Sequence, residues 1–157
     1  MEERKKDNTI DMWRDSPVRY LGYANEVGES FRPLFPRMLI PSYLLSIGYV
    51  LGDTRDKYVK AKSQETSSST SLSLSSPWIS AMDALLWQSF ASVIVPGITI
   101  NRIVALSSKV WTGQGKQFGP TTIGLMMIPL IIHPIDVAVE GCMDIAVRPL
   151  YREKKEE

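Results

Sequence analysis

The chain has 157 residues, of which 44% are hydrophobic, with 18 Lys/Arg against 17 Asp/Glu and a mean hydropathy of −0.06. A net charge of +1 supplies no polyelectrolyte field, which argues against a nucleic-acid partner. The single cysteine, Cys142, excludes an internal disulfide and a Cys-rich zinc site.

The averages conceal a segregation. Charges crowd into an N-terminal arm, two connections and a tail, and leave Met38–Gly52, Ala84–Asn101 and Gln117–Ile135 without Asp, Glu, Lys or Arg. A soluble layered fold would scatter Lys and Glu along its helices at period 3.6. A bilayer core of about 30 Å takes about 20 apolar residues as helix. The second and third stretches come close to that, and the first does so from Leu34 if Arg37 snorkels to the headgroups. The pattern predicts an all-α integral membrane protein with three Pro-interrupted transmembrane helices and flanking amphipathic helices. The alternative is a soluble helical protein with buried helices.

In chain order, residues 1–33 are a charged arm and an amphipathic helix. MEERKKDNTIDMWRDSP has no apolar h-region and carries too much acid for a mitochondrial presequence, so an organellar address would be internal and uncleaved. From Val18 to Phe31, Tyr20, Ala24, Val27 and Phe31 share one helical face, with Arg19, Glu26, Glu29 and Arg32 on the other. Such a helix can lie in the membrane interface or cover the bundle.

Residues 34–52 are the first predicted span, with Gly48 and Gly52 spaced for close helix packing. Residues 53–83 read as a Ser-rich flexible loop, since SQETSSSTSLSLSSP cannot bury enough apolar area to order itself. Phosphorylation of that tract is the sharper reading. Residues 84–101 are the second span, in which Gln88 and Ser92 can face another helix and Pro96-Gly97 should kink or end it.

Residues 102–116 form a basic loop with Arg102, Lys109 and Lys116 and no acid. Residues 117–135 are the third span, in which Pro129 and Pro134 should leave the last turns irregular. An amphipathic C-terminal helix and tail occupy 136–157, with Asp136, Glu140, Asp144 and Arg148 on one face. Three spans put the termini on opposite sides, and the Lys/Arg distribution leans toward the N-terminus facing the electronegative compartment.

Few residues invite chemistry. His133 and Asp136 sit beside the most apolar segment, where ionisable groups are functional candidates. They read most simply as a helix-terminal His and an N-cap Asp, with a proton pathway or partner contact as alternatives. The Asp136, Glu140 and Asp144 face reads as solvated or paired to Arg19, Arg32 or Arg102 rather than as a cation site. Asn25-Glu26 and Asn101-Arg102 are polar pairs that could form an Asn–Arg–Glu cluster gluing the bundle together. The chain shows no phosphate-binding glycine loop, no metal spacing and no Ser–His–Asp set, so the reading is non-enzymatic with no cofactor.

RYLGYANEVGESFR (19–32), DALLWQSFASVIVPGITINR (83–102) and GLMMIPLIIHPID (124–136) together closely resemble the mitochondrial fission process protein 1 family, also called the mitochondrial 18 kDa protein. The resemblance keeps the order of the blocks and lapses in the serine tract and both tails. It implies a multi-pass protein of the mitochondrial inner membrane that promotes division of the organelle, with membrane lipids as partners. The dynamin-related GTPase that constricts the outer membrane is implied only as an indirect partner, and no catalytic residues are implied. The rival reading is a small channel or leak-modulating subunit using His133 and Asp136.

Overall fold

Ser16 caps a helical turn near the start of the described residues. In the computed structural model, which describes residues 12–67, 76–113 and 115–152, its Oγ accepts the Val18 N–H at 3.2 Å. A short helix α1 (Met12–Asp15) precedes it. Pro17 then enters a 3₁₀ segment, Pro17–Tyr23, where its missing N–H costs nothing. The 3₁₀ segment runs directly into α2 (Ala24–Ser30). The predicted amphipathic helix is therefore present, wound more tightly over its first half.

A second 3₁₀ turn, Pro36–Met38, leads into α3 (Leu39–Ser67). α3 does not stop at Gly52, and residues 53–67 are helix rather than flexible loop. Two i,i+4 pairs hold that extension: Lys57–Asp53 at 3.9 Å and Lys60–Asp56 at 2.6 Å. Residues 68–75, the rest of the serine tract, lie outside the described residues. The Gly48/Gly52 pair is not one packing face. A Cβ on Gly52 would sit 2.5 Å from the Trp13 ring, whereas one on Gly48 would meet nothing within 4 Å.

Next comes one rod in three parts: α4 (Pro77–Gln88), a wide π-type turn (Ser89–Ile94) and α5 (Val95–Val110). Pro96 neither ends nor breaks it. The wide turn absorbs the proline, and the Val95 N–H reaches back five residues to the Phe90 carbonyl. The basic loop accordingly shortens, because residues 102–110 are helical.

The last rod repeats the device. α6 (Phe118–Cys142) continues through Pro129 and Pro134, and a π-type turn (Met143–Val147) precedes Pro149 in α7 (Arg148–Arg152). The boundary expected at residue 135 is absent, so Asp136 lies within α6 and caps nothing.

The described residues are helical throughout, with no strand. Two rods, Pro77–Val110 and Phe118–Tyr151, are long and apolar enough to cross a membrane, with mean window hydropathies of 1.6 and 1.8. The first of the three expected spans, 34–52, is not among them. In α3 the apolar run from Leu39 meets Asp53, Arg55 and Asp56 after some 21 Å of rise, short of a hydrocarbon core of about 30 Å.

α4–α5 runs back along α3, and α6 runs back along α5. The apolar core is small: Trp87, Ala91, Val139 and Met143 form one cluster, and Ile100, Val104 and Ile131 another. α2 lies in the angle between α3, α5 and α6 and touches all three.

Candidate functional site

α2 is turned with its polar face inward. Asn25, Glu26 and Ser30 are fully buried and Glu29 nearly so, while Tyr20, Leu21 and Val27 are exposed. α3 shows the same inversion. Ser46 and Asp53 are fully buried, while Ile40, Leu44 and Leu51 each expose more than half their surface. Gln88, Ser92 and Thr121 complete a polar seam inside a shell of exposed aliphatic residues. In water this arrangement would be costly on both sides, since buried polar groups must be paired and exposed apolar area is penalised. In lipid both costs reverse.

The seam has three stations. At the first, Asn25 uses both ends of its side-chain amide. Its Nδ2 donates to the Val93 carbonyl at 3.1 Å, and its Oδ1 accepts from Ser46 Oγ at 2.8 Å. Its backbone N–H also donates to Ser46 Oγ, at 3.0 Å. Val93 lies in the π-type turn ahead of Pro96, so Asn25 partners a carbonyl in the irregular turn. Gly97 makes the approach feasible, since a Cβ there would sit 3.0 Å from both Asn25 Nδ2 and the Tyr43 hydroxyl.

At the second station Glu29 accepts from three elements: Asn101 Nδ2 at 2.8 Å, the Tyr43 hydroxyl at 3.0 Å and Arg32 Nη1 at 3.4 Å. At the third, Gln88 Nε2 donates to Asp53 Oδ2 at 2.7 Å, and Gln88 Oε1 accepts from Ser92 Oγ at 2.7 Å.

Glu26 stands apart. It is fully buried, and neither carboxylate oxygen has a hydrogen-bond partner of ordinary geometry. Burial pushes its carboxyl up to about 8, against a smaller opposing pull from its own backbone and the Asn25 side chain. At neutral pH it is mostly the uncharged acid.

A separate set of ion pairs lies outside the seam. Asp136 on α6 pairs with Arg19. Arg148 reaches Asp83 at 3.1 Å, Glu140 at 2.6 Å and Asp144 at 2.6 Å, and the Tyr151 hydroxyl donates to Asp83.

Of the residues singled out from sequence, Asn25, Glu26 and Asn101 lie in or against the seam. Arg102, the neighbour of Asn101, is exposed and takes no part in it. His133 and Asp136 are not brought to the seam. With Trp87 and Glu140 they line an open cleft of about 340 Å³ on the flank of the bundle.

Sequence reasoning missed Glu29, Ser46, Tyr43 and Asp53. For Ser46 and Asp53 the signal was available: Ser42, Ser46, Tyr49 and Asp53 follow one another at spacings of four, three and four along α3. Among the described residues no three His, Cys, Asp or Glu side chains converge to hold a metal ion.

Span-length apolar rods around a polar seam define the class: a small all-helical bundle with two helices that could span a membrane. Within that class, the chain belongs to the mitochondrial 18 kDa protein family, whose model matches residues 9–143. It is 43% identical over 155 residues to mitochondrial fission process protein 1 of Caenorhabditis elegans, covering 91% of this chain and 90% of that one. The protein of the same name from Homo sapiens is 42% identical, with 90% and 88% covered, and that from Danio rerio 39% identical, with 94% and 93% covered. No solved structure matches.

Proposed function

We propose that this chain is a multi-pass protein of the mitochondrial inner membrane that promotes division of the organelle without catalysing a reaction. The names of its relatives supply the process. The inversion of polar and apolar residues across α2 and α3 is the observation that carries the membrane reading. The seam offers no nucleophile–base pair and no converging metal ligands among the described residues, which favours a scaffold over an enzyme. α2, held from inside by Asn25 and Glu29, keeps Tyr20, Leu21 and Val27 outward, where they would enter the headgroup–acyl boundary. On this reading the protein shapes or reads the membrane surface, and the dynamin-related GTPase of fission acts with it only indirectly.

Alkaline carbonate extraction of mitochondria tests the membrane reading, and the protein should stay in the pellet. Deleting residues 18–31 should abolish rescue of fission in depleted cells while import persists. Release by carbonate, or full rescue by the deletion, overturns the proposal.

A small channel or leak-modulating subunit is the second reading, favoured by the cleft that His133 shares with Asp136 and Glu140. The pairing of Asp136 with Arg19 speaks against free proton traffic there. Proton flux into liposomes that disappears in His133→Ala and Asp136→Asn would select the channel.

A further inference from the structure

The outward face of α2 and the first two turns of α3 enclose an apolar groove of about 380 Å³, lined by Tyr20, Ala24, Val27, Phe31, Met38 and Leu45 among others. Its one hydroxyl-bearing side chain besides Tyr20 is Ser42, and the Ser42 Oγ already donates to the Leu39 carbonyl at 2.7 Å. The floor therefore favours hydrocarbon over a polar ligand. From Met38 to Leu45 the groove descends roughly 10 Å along α3, comparable to the depth of the headgroup–acyl boundary.

The charge at its mouth has one sign. Phe31 and Met38 line the groove where α3 begins, and Arg32 and Arg37 adjoin them in the chain. Arg37 is exposed and makes no ion pair among the described residues. At this end of the bundle α3 begins, α5 ends and α6 begins. It carries Arg102, Lys109 and Lys116 as well, while Glu26 and Glu29 of α2 are buried and Glu29 is paired with Arg32, which leaves Arg37 as the exposed cation beside the groove.

We infer that the groove is a binding site for one anionic phospholipid, an acyl chain lying between α2 and α3 and the phosphate resting on Arg37. The inference rests on the membrane reading above and names the lipid chemistry that reading would use.

Native mass spectrometry of the full-length chain in mild detergent tests it, titrating phosphatidylglycerol and phosphatidylcholine of identical acyl chains. One phosphatidylglycerol should be retained preferentially, and Arg37→Gln should weaken that retention roughly fivefold while leaving phosphatidylcholine unchanged. Ala24→Phe, which fills the groove, should lower retention of both lipids. Equal retention of the two headgroups overturns the site. So does an equal loss in Arg102→Gln and Lys109→Gln, which would mean diffuse surface attraction. A stable dimer dissociated by Ala24→Phe overturns it too, since a second copy would then occupy the groove. Carbonate extraction separates the two failures: a protein that resists carbonate yet shows no lipid preference loses only this site.

Discussion

Carboxylates around α2 and carboxylates around Arg148 are handled in opposite ways. In the seam, the amides of Asn101 and Gln88 make the shortest contacts to Glu29 and Asp53, with Arg32 and Lys57 farther off at 3.4 and 3.9 Å, and burial favours the protonated form of Glu26. At the far end, Asp83, Glu140 and Asp144 all converge on one guanidinium. Depth explains the difference. A buried ion is expensive unless fully compensated, so neutral donors or a retained proton serve better. Where Glu140 and Asp144 are about half exposed, water supports the charges and a salt bridge costs little. The seam fixes where α2 sits; the Arg148 cluster fastens the end of a rod that is already placed.

The comparison breaks first at Asn25. Asn25→Leu removes the donor to the Val93 carbonyl and the acceptor of Ser46, leaving a carbonyl of the π-type turn unpartnered. A loss of about 3 kcal/mol is expected, read as a lowered unfolding midpoint by tryptophan fluorescence in mild detergent. A neutral result would mean α2 is held by its apolar contacts instead.

Glu26→Gln should act in the other direction. The native carboxyl titrates near 8 and an unfolded one near 4.5, so between those values the native state binds the extra proton. Stability contributed by this group is full below pH 4.5 and falls as pH rises toward 8. Roughly 3 kcal/mol should be lost by pH 7, and the glutamine variant should recover most of it and flatten the pH profile. An unchanged slope in Glu26→Gln would place the titration elsewhere.

How much of this was legible depends on which solvent the reader assumes. The apolar rods were visible because their charge-free stretches are long, and the Gln88/Ser92 pairing was visible because four residues put both on one face. The orientation of α2 was not. Its periodicity gives two faces and does not say which is inward. The exposure of Tyr20 and Val27 with burial of Asn25 and Glu26 is set by how α2 packs against α3, α5 and α6, a tertiary fact. The prolines misled for a related reason. Pro96 looks like a break, but it follows a widened turn that removes the clash without ending the helix. The charged run after Gly52 looked like a loop because charge marks solvent, and it is also what i,i+4 pairs use to extend a helix.

Gln88→Ala falls between the extremes. It leaves Asp53 without its amide donor in a fully buried position, and about 2 kcal/mol should be lost. The double variant with Asp53→Ala should cost less than the sum of the singles, because the acid that lost its amide donor is gone too. Strict additivity would show that the pair does not couple.

The smallest effect is expected at Arg148. Arg148→Ala removes the hub of three carboxylates, yet two of them are about half exposed and can hydrate. A loss of about 1 kcal/mol or less should be seen at low salt, and it should shrink further in 0.5 M salt, about the regime where screening acts within a few ångströms. The Asn25→Leu penalty should not respond to salt, because no full charge is involved. A salt-insensitive loss of several kcal/mol at Arg148 would mean that this end of the rod is as deeply buried in its working environment as the seam, and the distinction between a placing region and a fastening region would fail.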